Sequence, residues 1–86
     1  MNINQLVEIV KNKLHNNIVC DNIEIQDKTF LHKSHASHDK NKFHIKLIIT
    51  SDYFKKKSKI ESTKEIYKIL EKELKYNIHS IQILIN

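Results

Sequence analysis

Neither glycine nor proline occurs anywhere in the 86 residues of this chain. Ordinary usage would supply about six glycines and four prolines in that length. The absence excludes whole classes of site. A Walker-A loop and a Rossmann fingerprint both need glycine where backbone must approach phosphate, so nucleoside-triphosphate and dinucleotide sites of those kinds are ruled out. Collagen-like repeats and glycine-rich linkers are ruled out as well. Wherever a helix needs a left-handed residue to stop it, asparagine has to serve instead.

Part of the pattern is compositional. Ile (15), Lys (15) and Asn (9) make up 39 of the 86 residues, Ala occurs once and Arg not at all. Residues with A/T-rich codons are in excess, which a mutational bias in the source genome explains better than selection on the fold. The length bounds the rest: a chain this short makes one small domain that buries roughly 60% of its unfolded surface. That suffices for one core but not for a deep enzyme cleft beside it, so a single domain over residues 1–86 is expected. The lone Cys20 cannot form an internal disulfide, and no apolar run is long enough for a signal or membrane helix. A reduced, cytoplasmic setting without membrane association is expected. The net charge of +5 permits attraction to nucleic acid or to an acidic partner. The lysines are scattered except at Lys55-Lys56-Lys57, however, and on charge alone a solvated surface is the expected reading.

Ile3, Leu6, Val7, Val10 and Leu14 recur at helical spacing, with Asn2 placed to cap them, and predict an amphipathic helix over about residues 3 to 15. His15-Asn16-Asn17 reads as its end, with asparagine in the left-handed conformation. Asn22 to Asp27 alternates with period two, as a half-buried strand does. The polar stretch Lys28 to Lys42 follows as a long loop. Phe43, Ile45, Leu47 and Ile49 then mark a second, more deeply buried strand. Ser51-Asp52-Tyr53-Phe54 breaks the alternation and predicts one turn of helix or a tight turn anchored by an aromatic. Ser58 with Glu61 makes a capping box for a second long helix, whose stripe is Ile60, Thr63, Ile66, Tyr67, Leu70 and Leu74. Tyr76-Asn77 is the turn into a third strand of Ile78, Ile81, Ile83 and Ile85. The order αββααβ predicts a two-layer α+β fold, a three-stranded mixed sheet with helices on one face. The first two strands should pair antiparallel, and a helical crossover makes the last two parallel.

The grouping with chemical potential is His32, His35 and His38, with Asp39 among them and His44 just beyond. Imidazoles suit zinc, copper and iron, and several converging from one loop can complete a site. The bland reading, a polar loop in which histidine is a soluble filler, stands beside that one. Cys20 has no second cysteine for a thiolate site and reads as a small buried hydrophobe. Ser34, His35 and Asp39 could be arranged as a nucleophile, base and orienting group, but such groupings arise by chance in any histidine-rich loop. No segment interleaves lysine with aromatics as a single-strand-binding surface does, and arginine, the commonest reader of guanine, is absent.

Four segments in order resemble the BolA family. His35-Ala36-Ser37-His38 is similar to its His-Ala-Gly-His loop, and His44 to Ser51 followed by Phe54 resembles its His-Phe-x-Val-x-Ile-Val-Ser-x-x-Phe strand. Ile66-Tyr67, Leu70 and Glu73-Leu74 fall on its second-helix pattern, and Ile78-His79-Ser80-Ile81 is similar to the Ile-His-Ala-Leu that starts its last strand. The resemblance implies a fold like the class II KH domain and no catalytic reaction. It also implies partnership with a monothiol glutaredoxin, in which a 2Fe-2S cluster is shared between the glutaredoxin cysteine, glutathione and ligands from the BolA-like chain. The isolated chain would be a monomer and would bind no cluster of its own. Metal-ligand candidates on this reading are His35, His38 and His44, with His79 more expected to pack than to ligate. Some members are linked to transcription regulation, so the alternative is a KH-like DNA-binding face using Lys55, Lys56, Lys57 and Lys64. The chain departs from the family where its Arg-His-Arg signature supplies a cluster ligand: the histidine position is Thr63, between Ser62 and Lys64. A hydroxyl is a poor iron ligand. Codon bias accounts for Ser37 and Lys64 in place of glycine and arginine, but not for Thr63, because histidine persists at six other positions.

Overall fold

The computed structural model describes residues 1–29 and 42–86; His32, His35 and His38 lie outside them. The first helix, α1 (Ile3–Asn17), starts where Asn2 Oδ1 accepts from the Gln5 N–H at 2.8 Å and Gln5 Oε1 accepts from the Asn2 N–H at 2.9 Å. Two donors that the helix itself leaves over are thus satisfied reciprocally. Leu6, Val10 and Leu14, one turn apart, are its buried face. Its end corrects the expected left-handed asparagine, since no described residue has a positive φ. Asn17 Nδ2 instead donates to the Lys13 carbonyl at 2.7 Å, and Ile18 turns to φ −140° while its N–H donates to Leu14 O at 2.9 Å.

Strands β1 (Asn22–Asp27), β2 (Phe43–Thr50) and β3 (Ile78–Ile85) form one sheet in the order β1-β2-β3. β1 runs antiparallel to β2, with Ile23 opposite Ile49 and Ile25 opposite Leu47, and β3 runs parallel to β2, with Ile83 opposite Leu47. Side chains alternate across a strand, so Ile23, Ile45, Leu47 and Ile49 share the face on which the helices pack. There they join Leu6, Val10, Leu14, Phe54, Ile66 and Leu70 in one core. The opposite face carries Glu24, Gln26, Lys46, Ile48, Gln82 and Leu84. This is the expected mixed-sheet α+β architecture, and it is compatible with a KH-like description.

The turn after β2 is the short helix α2 (Asp52–Lys55). The buried Ser51 holds it from both sides: its hydroxyl donates to Val19 O at 2.8 Å and accepts from the Phe54 N–H. Of the two aromatics in this turn it is Phe54 that anchors it, fully buried, while Tyr53 is exposed. The second long helix differs from expectation in two ways. It bends into α3 (Lys59–Ile69) and α4 (Glu71–Tyr76) at Leu70, which sits at φ −98°, ψ 18°. Main-chain bonds from Leu70 to Ile66 O and from Leu74 to Leu70 O carry the ladder through the bend. Its buried face is also rotated from the predicted stripe. Ser62, Ile66, Leu70 and Glu73 point inward, whereas Ile60 is 70% exposed and Tyr67 45% exposed. The rotation is possible because the buried Glu73 carboxylate is met by Lys13 Nζ at 2.6 and 2.8 Å, so an acidic residue faces α1 rather than solvent.

Candidate functional site

Two places on the sheet collect polar chemistry, one at each end of β3. The first surrounds His44. Its main chain joins the two chain ends that flank residues 30–41: Lys28 N donates to His44 O at 2.7 Å, and His44 N donates to Thr29 Oγ1 at 3.2 Å. Asp27 Oδ1 accepts from the Thr29 N–H at 3.0 Å and fixes that turn. An irregularity in the register sets His44 opposite Ser80, and His44 Nδ1 lies 2.7 Å from Ser80 Oγ. The His44 ring, buried, stacks on the exposed His79 ring with centroids 4.7 Å apart and planes at 24°. A hydrogen bond on one ring nitrogen sets the tautomer and the orientation of the other, which is how ligating imidazoles are usually held. His44 is therefore an imidazole fixed in place by Ser80 and His79.

The second place is a groove of about 250 Å³ between α2, the start of α3 and the end of β3. Lys55, Lys57, Lys59 and Thr63 line one side and Ile83 to Ile85 the other. Ser58 Oγ caps α3 by accepting from the Glu61 N–H at 3.1 Å. Lys57 is tied down: its Nζ donates to Tyr53 Oη at 2.8 Å and Glu65 Oε2 at 3.0 Å, and lies 4.5 Å from the Tyr53 ring centroid. Tyr53 O–H donates to Glu65 Oε1 at 2.7 Å and closes the triangle. The bonds to Tyr53 and then Glu65 hold the Lys57 ammonium above its ordinary pKa. Burial pushes the Glu65 carboxyl up, but the hydrogen bonds from Tyr53 and Lys57 together with the lysine charge outweigh it, and the group lies below its ordinary value. Lys55 pairs loosely with Asp52 at 3.6 Å, both exposed, an arrangement worth little. Lys56 and Lys64 are exposed.

Of the four residues predicted as a nucleic-acid face, Lys55 and Lys57 line this groove and Lys56 and Lys64 do not, and Lys57 is already committed within the chain. Thr63 opens into that groove, whereas His44 sits beside Ser80, four residues before Leu84 and so about 13 Å away along the strand. The two are not neighbours. His35 and His38 lie outside the described residues, and among those described no group of three His, Cys, Asp or Glu could hold a metal ion. Cys20, expected buried, is only partly so; its Sγ lies 3.5 Å from His15 Nδ1, and burial followed by the Asp21 charge raises its pKa. Sequence reasoning missed Ser80, Tyr53 and Glu65. Ser80 could be found only through the register of a parallel pair, and Glu65 reads from spacing as an outward-facing helix residue.

Among the described residues no helix is long and apolar enough to cross a membrane. Residues 14–86 match the family model described as BolA-like protein. A curated relative, SufE-like protein 1, chloroplastic/mitochondrial, from Arabidopsis thaliana, is 30% identical over 80 residues, covering 87% of this chain and 22% of that protein. The chain thus spans about a fifth of that relative's length. The solved BolA domain of SufE1 from Arabidopsis thaliana superposes with a TM-score of 0.77 at 28% identity, covering 100% of this chain and 93% of that one. BolA1 from Arabidopsis thaliana gives 0.76 at 22% identity, covering 92% and 87%, and BolA1 from Mus musculus gives 0.71 at 18%, covering 90% and 60%; these two speak for the fold. With the fold, the order of its elements and the family match in agreement, the chain belongs to the BolA-like family.

Proposed function

We propose that this chain is a non-enzymatic adaptor that docks a monothiol glutaredoxin and assists the assembly or transfer of a 2Fe-2S cluster. The observation that carries the reading is the family match over residues 14–86, which a full-length superposition on the BolA domain of a SufE protein supports. The cluster is cargo, held chiefly by the glutaredoxin cysteine and glutathione. The described residues do not fit a cluster unaided, because they offer no group of three ligands and Thr63 has a hydroxyl where the family has an imidazole. The chain's contribution is therefore a single imidazole, from His35, His38 or His44, next to a protein surface that covers the cluster. His44 suits the part in one respect, since Ser80 fixes its ring.

The test is titration of ¹⁵N-labelled chain with apo- and holo-glutaredoxin. Holo-protein is expected to change its visible spectrum and to shift amides from residue 32 to 44 together with Ser80. Alanine at His35 and His38, and separately at His44, should identify the imidazole by loss of the spectral change while docking persists. An unchanged spectrum together with unmoved amides in that stretch would overturn the proposal.

A further inference from the structure

We infer that the outer edge of β3, together with the lysine-lined groove beside its end, docks an extended acidic peptide segment of a partner protein by strand addition. The strand order leaves β3 at one edge of the sheet. Backbone groups of alternate residues point to opposite sides of a strand. Asn86 directs its own toward β2, since its N–H donates to Ile49 O at 2.8 Å and its carbonyl accepts from Ser51 N at 3.5 Å. Leu84 and Gln82 share that direction by alternation, so the N–H and C=O of Ile81, Ile83 and Ile85 face outward. No main-chain bond from a described residue outside the ladder reaches them.

Natural sheets blunt such edges with charge. The other edge strand, β1, carries Glu24 and Asp27, but Ile78–Ile85 contains no Asp, Glu or Lys. An eight-residue edge with this composition is a ready template for another strand. Its neighbourhood selects the partner. An added strand would direct alternate side chains to the helix side, where the groove presents Lys55, Lys57 and Lys59 and no carboxylate. Lys57 is neutralised by Glu65, Lys55 is exposed and only loosely paired with the exposed Asp52 at 3.6 Å, and Lys59 is exposed, so acidic side chains on the partner meet cations while its backbone completes the ladder. A nucleic acid fits less well: the groove floor is aliphatic, none of its lining residues is aromatic, and none is arginine. A second copy fits less well too, because pairing β3 with β3 would bring both lysine sets and two chains of charge +5 together.

The probe is an acetylated, amidated alternating Glu-Val peptide of about eight residues, matched to the strand length. It is compared with the same peptide N-methylated at alternate residues and with an oligothymidylate of similar charge, each titrated into the ¹⁵N-labelled full chain. The peptide should shift the amides of Ile81, Ile83 and Ile85 and those of Lys55 and Lys59. N-methylation of the probe, or the double change Lys55→Glu and Lys59→Glu, should weaken binding by roughly ten-fold, which is about 1.4 kcal/mol. Ile83→Pro, which removes one outward N–H and leaves the β2 ladder intact, should do likewise, and the N-methylated probe reads the same contact without touching the fold. The inference is overturned by no shifts at about 1 mM peptide, by N-methylated peptide binding as well as the parent, by tighter binding of the oligothymidylate at the same amides, or by a dimer in sedimentation.

Discussion

Replacing Lys13 by methionine removes the only cation that the described residues set against Glu73, and the cost can be worked from the geometry. The Glu73 side chain is 5% exposed and takes bonds on both oxygens, at 2.8 and 2.6 Å, from an ammonium whose own side chain is 36% exposed. Breaking a fully buried pair from one side costs about 3–5 kcal/mol, and a hydrogen bond to a charged group contributes about 1.5–3 kcal/mol. Solvent reaches the lysine end here, so Lys13→Met should cost about 2–3 kcal/mol. A domain of 86 residues has a total stability of roughly 4–13 kcal/mol, and the midpoint of thermal unfolding should fall by roughly 15 °C. The double variant Lys13→Met, Glu73→Leu should recover most of the loss, because an apolar pair of similar volume carries no desolvated charge. Urea unfolding followed by circular dichroism measures both. A cost below about 0.5 kcal/mol for the single variant, or a double variant no better than the single, would refute the account. The consequence reaches the site: α4 runs directly into β3 through Asn77, whose carbonyl accepts from Phe43 N at 2.9 Å, so loosening α4 loosens the seat of His79 and Ser80.

Further outcomes follow from the same contacts. Glu65 has a folded-state pKa below its ordinary 4.5, so its contribution to stability is full above that value and lost as pH falls through the lower folded one; Lys57, raised above 10.5, contributes fully below that value and loses its contribution as pH rises past the folded one. Glu65→Gln should therefore narrow its melting-temperature gap to the parent as pH falls from 7 to 3; a constant gap would count against the triangle. Ser80→Ala should cost about 1 kcal/mol and change the tautomer signature of His44 in ¹⁵N spectra of the ring, a readout that simple loss of packing would not give. Phe54→Ala should cost about 3–5 kcal/mol by emptying the core position that anchors α2, as chemical denaturation would measure. Thr63→His, if the family ligand position retains its geometry, should strengthen the visible spectrum of the glutaredoxin complex relative to the parent; no change would show that residue 63 does not approach the cluster.

Much of the architecture was legible because strands and helices have different periods. The alternation of Ile23 and Ile25, and of Ile45, Leu47 and Ile49, gave both strands and their buried face, and the crossover gave the parallel pair. The face of α3 was not legible. Of the predicted stripe, Ile66 and Leu70 are buried as expected and Leu74 packs against the core, but Ile60 and Tyr67 are exposed while Ser62 and Glu73 turn inward, and the partner that receives Glu73, Lys13, lies sixty residues away in sequence. Of the candidate site, His44 stood out as a residue type, but its partner Ser80 depends on a register irregularity that no local pattern announces. The Lys55 to Lys57 run looked uniform in sequence, whereas the fold ties Lys57 to Tyr53 and Glu65 and leaves Lys56 at the surface.

The missing glycines bear on this in a way that composition alone did not suggest. Without them the chain could have ended its helices with left-handed asparagines, yet every described residue keeps a negative φ. Side chains take the place of the special backbone: Asn2 at the start of α1, Asn17 on the Lys13 carbonyl at its end, Ser51 before α2 and Ser58 before α3. Capping by side chain costs no steric strain and contributes about 1 kcal/mol at each helix start, so a codon bias against glycine is absorbed locally without altering the fold. Iron ligation has no such substitute, because a threonine hydroxyl at residue 63 cannot act as an imidazole. Under the proposed function, the departure at Thr63 therefore changes chemistry where the lost glycines changed only the means of turning, and it turns the test of cluster binding toward His44, beside Ser80 on β3, and toward His35 and His38.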